Sequence, residues 1–281
     1  MKTIISFKSI FSLAAAIVVS MATMACTIEI KNSLSHIEVS GVEVTHAGSL
    51  SPFDQMEVWS NVDVNFKIGD NYSYTLVADS AIIDKYEVSL SAGRLRVGIK
   101  PHLSIRWNTF DTMASLLITV PSYEAFSTLD IDLSGASRIN MPAFVMSKME
   151  LDCSGASRAN LSGTKISKEL DIDCSGASRV ETNSIEANEI KCDCSGASTI
   201  VLNGSSAKLN ADCSGASNIV AQECKLSTST TLECSGASKI SLGDLTNVSA
   251  SFDASGASSI SYAGNPQIDH MRTSGASHVT R

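Results

Sequence analysis

Seven acidic side chains recur at one position of a repeat, where a row of carboxylates could bind cations or basic groups. Each stands two residues before a Ser-Gly-Ala-Ser tetrapeptide: Asp132, Asp152, Asp173, Asp193, Asp212, Glu233 and Asp253. Two interpretations stay open, a solvated surface with weak ion pairs or a row of calcium ligands. Calcium needs about six to eight oxygens, and the tandem nonapeptide of calcium-binding β-helices is absent. We therefore treat these acids as candidate binding residues and predict no metal site.

Five cysteines follow the same period, immediately before the tetrapeptide: Cys153, Cys174, Cys194, Cys213 and Cys234. Leu133, Ala254 and Thr273 take that position in the other copies, so the position is expected to face inward. The favoured interpretation is a stack of buried thiols that pack as small apolar side chains. Disulfides between neighbouring coils are an alternative, although parallel strands direct their Cβ atoms side by side. A metal or cluster site is the weakest alternative, because a one-dimensional row of thiols makes no tetrahedron.

The remaining residues contain no motif that is typical of a catalytic site. The five histidines show no pairing typical of a metalloprotease or a triad, and no nucleophile elbow, phosphate loop or dinucleotide fingerprint is present. The sequence therefore predicts a non-enzyme with no cofactor. A polysaccharide-degrading β-helix enzyme is the weaker alternative, because such enzymes gather acids in one place, whereas here the acids recur in every repeat.

The elements that must position these residues are coils of a solenoid. Ser-Gly-Ala-Ser occurs eight times, and its glycines, from Gly135 to Gly275, are spaced 19 to 21 residues apart. Apolar residues alternate on both sides of the tetrapeptide, as in Leu170, Ile172 and Cys174, which indicates half-buried strands. Glycine permits a sharp corner between the two strands. The predicted fold is all-β: a right-handed parallel β-helix with coils of about 20 residues, spanning residues 129–281.

The segment before the repeat, residues 46–128, is also β-rich but lacks the period, and we expect it to cap one end of the solenoid. Trp107 lies here, and a core or cap position is favoured over sugar stacking. The last repeat shows no capping sequence, which would permit end-to-end contact between copies.

The N-terminal sequence is typical of an export signal. Residues 1–25 combine two lysines with a short apolar run, too short to span a bilayer. The run ends at Cys26, as in bacterial lipoproteins, which predicts lipidation of Cys26 and a tether over residues 26–45. Cleavage that leaves a free Cys26 is the alternative. The net charge of −8 and the absence of a basic run argue against nucleic-acid binding.

The order of motifs resembles a known family. A lead such as Val62-Asp63-Val64 is followed by Gly93-Arg94-Leu95-Arg96-Val97, Ile118-Thr119-Val120-Pro121 and the first repeat, Leu129 to Ser137. Together with the export signal, these are similar to the family described as "putative auto-transporter adhesin, head GIN domain", over roughly residues 46–281. The resemblance implies an exported or lipid-anchored all-β protein of Bacteroidetes-type bacteria, and it supplies no catalytic residues.

From these observations we expect a non-enzymatic lipoprotein of the cell envelope, on the periplasmic or surface side of the outer membrane. It would act in adhesion or binding through one solenoid face, with glycans or proteins of host or cell surfaces as partners. The membrane is contacted through the lipid anchor. The alternative is a structural scaffold of the envelope whose copies associate into oligomers.

Overall fold

A computed structural model describes residues 40–100 and 114–281, which belong to one compact unit. The predicted signal peptide, Cys26 and Trp107 lie outside the described residues. In the described part of the chain, no helix is both long and apolar enough to cross a membrane. Within residues 40–100 and 114–281, the regular structure is one short 3-10 helix, Ile83–Lys85, and otherwise β-strands.

In the part of the chain that the structure describes, seven strands precede the first complete repeat: β1 Glu43–Ser49, β2 Gln55–Val58, β3 Val62–Ile68, β4 Ser73–Asp79, β5 Tyr86–Ser91, β6 Arg94–Ile99 and β7 Ala114–Val120. The repeat region begins with β8 Thr128–Leu133, β9 Arg138–Met141, β10 Val145–Cys153, β11 Arg158–Ser162, β12 Lys165–Cys174, β13 Arg179–Asn183 and β14 Ile185–Cys194. It continues with β15 Thr199–Cys213, β16 Asn218–Cys234, β17 Lys239–Asp244, β18 Ser249–Ala254, β19 Ser259–Ala263, β20 Gln267–Thr273 and β21 His278–Thr280.

Two parallel ladders run the length of the repeat region. The first, the pre-corner ladder, stacks β8, β10, β12, β14, the ends of β15 and β16, β18 and β20. The second, the post-corner ladder, stacks the strands that follow each tetrapeptide, from β9 to β21. This arrangement confirms the predicted parallel β-solenoid with coils of about 20 residues.

The ladders extend below the repeat into the segment 46–128. β2 and β3 form a coil directly beneath β8 and β9, and β6 and β7 form the coil beneath that one. Antiparallel strands then cover this end, with β5 on β6, β4 on β7, and β1 on β4. Strand β1 begins at Glu43, within the segment 26–45 that the sequence assigns to a tether.

The tetrapeptide marks a corner where backbone stacks on backbone. Its eight glycines have φ between +69° and +75°, a conformation that costs glycine little. Each alanine N–H donates to the carbonyl oxygen of the coil below, at 2.7 to 2.8 Å. A Cβ added to Gly155 would lie 2.8 Å from Gly135 O, so a larger side chain has no room. The repeated Ser-Gly-Ala-Ser thus reflects a steric requirement of each corner.

The core lies inside the coils and consists mainly of aliphatic side chains that face inward from both ladders. Near the N-terminal end it includes a cluster of aromatic rings, with Phe126 and Phe144 at 5.2 Å between centroids and Phe66 and Phe144 at 5.5 Å. The alternation leaves the opposite side of each strand facing solvent.

Candidate functional site

The predicted acids form one continuous row on the outer side of the pre-corner ladder, which we call the acid face. In register, Asp132 lies beside Asp152, Asp152 beside Asp173, and Asp173 beside Asp193. The row continues through Asp212 and Glu233 to Asp253. Neighbouring strands of a sheet are about 4.8 Å apart. The fold therefore brings together all seven acids that the sequence proposes as binding residues.

Glu57 adds an eighth carboxylate, which lies outside the Ser-Gly-Ala-Ser repeats and is not among the predicted acids. It lies beside Asp132 because β2 occupies the pre-corner position of the coil beneath β8. The corner after β2 is Trp59-Ser60-Asn61 instead of Ser-Gly-Ala-Ser. The sequence does contain one indication of this position. Met56 and Val58 are apolar and flank Glu57, which predicts that Glu57 faces outward from a half-buried strand.

An arginine occupies this row at each end. Arg96 lies in register below Glu57, and its Nε is 2.9 Å from Glu57 Oε2. Its guanidinium also stacks over Trp59, at 5.3 Å from the ring centroid. At the opposite end, Arg272 lies in register with Asp253. Eight consecutive carboxylates thus lie between two guanidinium groups.

A second row makes the acid face most negative near β8, β10 and β12. Asp130, Glu150 and Asp171 are stacked in register, and Lys191 follows them. Two lysines lie nearby: Lys148 Nζ is 3.3 Å from Glu169 Oε1 and 3.4 Å from Glu150 Oε2, and Lys191 Nζ is 2.6 Å from Glu169 Oε2. The ion pairs of Glu169 lower its pKa, chiefly through the Lys191 hydrogen bond.

Several carboxylates of the acid face have raised pKa values. Desolvation and then the negative charges of Asp173 and Asp132 raise the pKa of Asp152 from 3.8 to about 6. The pKa values of Asp130, Asp171, Asp173 and Asp212 are raised for the same two reasons, desolvation first and neighbouring acids second. The face therefore carries negative charge that the protein's own cations compensate only in part.

A shallow depression of about 350 Å³ lies on this face beside the corners. It is lined by Asp152, Asp173 and Asp193 together with the first serines of the corresponding tetrapeptides, Ser154, Ser175 and Ser195. Within the described residues, no group of three or more His, Cys, Asp or Glu side chains has the arrangement of a metal site. The arrangement suits contact with several positively charged groups of a partner.

Comparison with protein-family models identifies the family. The model described as "Putative auto-transporter adhesin, head GIN domain" matches residues 52–266. The chain belongs to this family. The resemblance found in the sequence is thereby confirmed, and membership in an adhesin-like family indicates an exported or surface protein.

Solved structures similar to this head GIN domain protein share its fold. A "putative adhesin" from Parabacteroides merdae ATCC 43184 has a TM-score of 0.64 and 16% identity, over 87% of this chain and 98% of that one. A "putative adhesin" from Bacteroides fragilis NCTC 9343 has a TM-score of 0.59 and 17% identity, over 87% and 98%. A "putative lipid binding protein" from Parabacteroides distasonis ATCC 8503 has a TM-score of 0.64 and 15% identity, over 87% and 98%. No curated protein matches the chain.

The cysteines of this head GIN domain protein lie inside the solenoid. All seven described cysteines are free and buried, in agreement with thiols that pack as small side chains. They include Cys192 and Cys224, outside the row before the tetrapeptide. Burial raises the pKa of Cys224 to about 11. Hydrogen bonds to Cys194 and Cys234, followed by desolvation, raise the pKa of Cys213. We assign these thiols to the core.

Proposed function

We propose that this protein is a non-enzymatic binding protein of the cell envelope that adheres to a partner through its acid face. The observation that carries the proposal is the uninterrupted row of eight carboxylates from Glu57 to Asp253. A row of like charges is unfavourable in the isolated protein, and the charges of Asp173 and Asp132 add to desolvation, the larger cause, in raising the pKa of Asp152. A partner that brings cationic groups relieves this repulsion, so the same charges favour association.

The partner that fits is a protein surface rich in lysine and arginine. The carboxylates repeat at the spacing of the strands, about 4.8 Å, and therefore present many equivalent contacts along one line. Charge complementarity of this kind accelerates association and weakens with salt, because ions screen exposed charges beyond about 8 Å at physiological ionic strength.

Binding of the full chain to a lysine-rich peptide and to purified matrix proteins with basic surfaces tests this proposal. Neutralising the centre of the face with Asp152→Asn, Asp173→Asn and Asp193→Asn together is expected to slow association and to flatten its salt dependence. These changes remove repulsion and should preserve the fold, which a thermal melt would verify.

A matched control removes three carboxylates elsewhere, with Glu124→Gln, Glu181→Gln and Glu223→Gln. None of these lies in the acid row, so binding should stay close to that of the unchanged protein. The proposal would be abandoned if the unchanged protein bound none of these probes, or if the control variant lost as much binding as the acid-face variant.

We also infer that Cys26 carries the lipid that attaches the protein to the envelope. Support comes from the short apolar run over residues 10–19, which precedes Thr23-Met24-Ala25 and Cys26 as in a lipoprotein signal. Acyl chains would add roughly 0.8 kcal/mol of membrane affinity for each buried methylene. The Cys26→Ser variant is expected to move from the membrane fraction to the soluble fraction. Persistence of that variant in the membranes would show that another element anchors the protein.

A further inference from the structure

A groove runs along the solenoid at the starts of the pre-corner strands, away from the corners that follow their ends, across five successive coils. Its volume is about 580 Å³, and it lies where a short third side of each coil meets the pre-corner strand. None of the eight carboxylates of the acid row lines it. The groove is therefore a separate surface from the acid face.

In each of these five coils the strand pairing is interrupted at one place, and the interruptions lie along this groove. The register between coils shifts after Met146, after Ile166 and after Ser206. The residues between the two paired stretches, such as Ser167, Asn188 and Ser227, line the opening. Aligned β-bulges of this type are structural features that often lie beside binding sites.

The lining combines an apolar floor with polar walls. Met146, Ile166 and Leu226 contribute apolar surface at the bottom, where they are largely buried. Along the walls, hydroxyl, amide and charged side chains follow one another from coil to coil: Lys165, Ser167, Glu186, Asn188, Ser205, Lys225 and Ser227. A ligand that fits must be long and narrow, and it must carry both apolar and hydrogen-bonding surfaces at short intervals.

We propose that this groove binds an extended oligosaccharide strand lying parallel to the solenoid axis. A sugar ring has apolar C–H faces and hydroxyl edges, which complement the floor and the walls. The polar groups repeat about every 4.8 Å along the axis, a distance close to the advance of one sugar ring in an extended chain. An acyl chain would instead strip water from the polar walls without replacing their hydrogen bonds.

An exposed tyrosine lies in the chain segment next to the first coil of the groove. Tyr123 is 51% exposed, and its carbonyl oxygen accepts a hydrogen bond of 2.9 Å from the N–H of Val145, which lines the groove. Its ring lies 6.5 Å from that of Phe144, centroid to centroid. An exposed tyrosine beside the groove can stack on a sugar ring, since it offers an apolar body with a polar tip.

The lining favours binding without cleavage. Glu186 is the one carboxylate among the residues that line the groove, and Lys165 Nζ lies 3.0 Å from its Oε2. Hydrolysis of a glycosidic bond generally requires a pair of carboxyl groups on either side of the scissile bond. The groove is thus a site for holding a glycan strand, independent of the protein partner assigned to the acid face.

Calorimetric titration of the purified full chain with defined oligosaccharides tests the proposal. The three series are β-1,4-linked glucose, β-1,4-linked N-acetylglucosamine and β-1,3-linked glucose, each in lengths from three to eight sugars. At least one series should bind, with an affinity that rises with length and levels off near five sugars, since five coils line the groove. Asn188→Ala should weaken binding about fivefold, the loss expected for one neutral hydrogen bond. Ser205→Trp, which fills the groove, should abolish it.

Asn160→Ala is the matched control, because this asparagine lies on the post-corner strand β11, away from the groove, and should leave the affinity unchanged. The triple acid-face variant should also retain glycan binding, which separates the two proposals. Thermal melts of each variant verify the fold. The assignment would be overturned if no oligosaccharide of the three series bound, or if neither groove variant changed the affinity. It would also be overturned if the protein bound a fatty acid in place of sugars.

Discussion

The hydroxyl of Ser217, the last residue of its tetrapeptide, lies 2.7 Å from the carbonyl oxygen of Cys194 in the coil below. It is also 2.5 Å from Ser214 O and 3.2 Å from Cys213 Sγ. Ser198, Ser238 and Ser258 make the equivalent contact with a cysteine carbonyl of the preceding coil. At these four corners a buried hydroxyl thus connects the corner to the coil below, beside the row of thiols.

Ser217→Ala is expected to lower the free energy of unfolding by about 1 kcal/mol, the usual net value of one hydrogen bond. Ser157 provides a matched control, because it has the same place in its own tetrapeptide and is fully buried, yet its Oγ has no hydrogen-bond partner among the described residues. Ser157→Ala should therefore be neutral or slightly stabilising. Urea denaturation of both variants measures the difference, and equal losses would show that the hydroxyl contact contributes nothing specific.

The corner glycines give a second prediction. Gly196→Ala should destabilise the protein strongly, because Gly196 has φ of +71° and an added Cβ would lie 2.8 Å from Gly176 O. Gly41 is the control, since it has φ of +73° but nothing within 4 Å of an added Cβ. Gly41→Ala should cost only the backbone strain, about 1–2 kcal/mol.

The denaturation midpoints of the two glycine variants separate strain from steric conflict. A Gly196→Ala variant no less stable than Gly41→Ala would mean that the stacked corners can move apart at little cost. The corners would then not explain why Ser-Gly-Ala-Ser recurs.

The buried thiols give a third prediction. In a Cys26→Ser variant, the seven remaining cysteines are all free and buried, so a thiol reagent at pH 8 should label almost none of them in the folded protein. The same reagent in denaturant should label all seven. Rapid labelling before unfolding would contradict the burial, and fewer than seven thiols after unfolding would indicate disulfides in the purified protein.

The repeat region was predictable because each corner imposes the same steric requirement. Gly135 and its seven equivalents set the register, and alternation from the corner then determines which side of the strand holds Asp152 and which holds Cys153. The glycine at each corner and the alternation of side chains along the strand are therefore sufficient to predict the acid row and the thiol row.

The coil beneath the repeat was harder to predict, because Ser60 takes the place of the corner glycine there and removes the motif. Glu57 joins the acid row only through pairing of β2 with a strand more than 70 residues later in the chain. The groove was also not predicted, since it depends on bulges in segments of unequal length, such as residues 167–168 and Asn188. Local alternation carries no information on such interruptions.

The raised pKa of Asp152 gives the last prediction. Because its pKa rises from 3.8 to about 6 on folding, the folded state holds this proton more tightly than the unfolded state. Its contribution to stability is therefore most favourable below about pH 4 and is lost as the pH rises towards 6. Asp152→Asn, which stays neutral, should raise the melting temperature at pH 7.5 and have little effect at pH 3.5.

Glu181→Gln is the comparison for this pH effect, because Glu181 forms an ion pair with Arg179 and its neutralisation removes an attraction. That variant should show no gain in melting temperature at pH 7.5. A melting temperature of Asp152→Asn equal to that of the unchanged protein at both pH values would show that the acid row costs the fold nothing. The charge repulsion on which the proposed partner binding rests would then be absent.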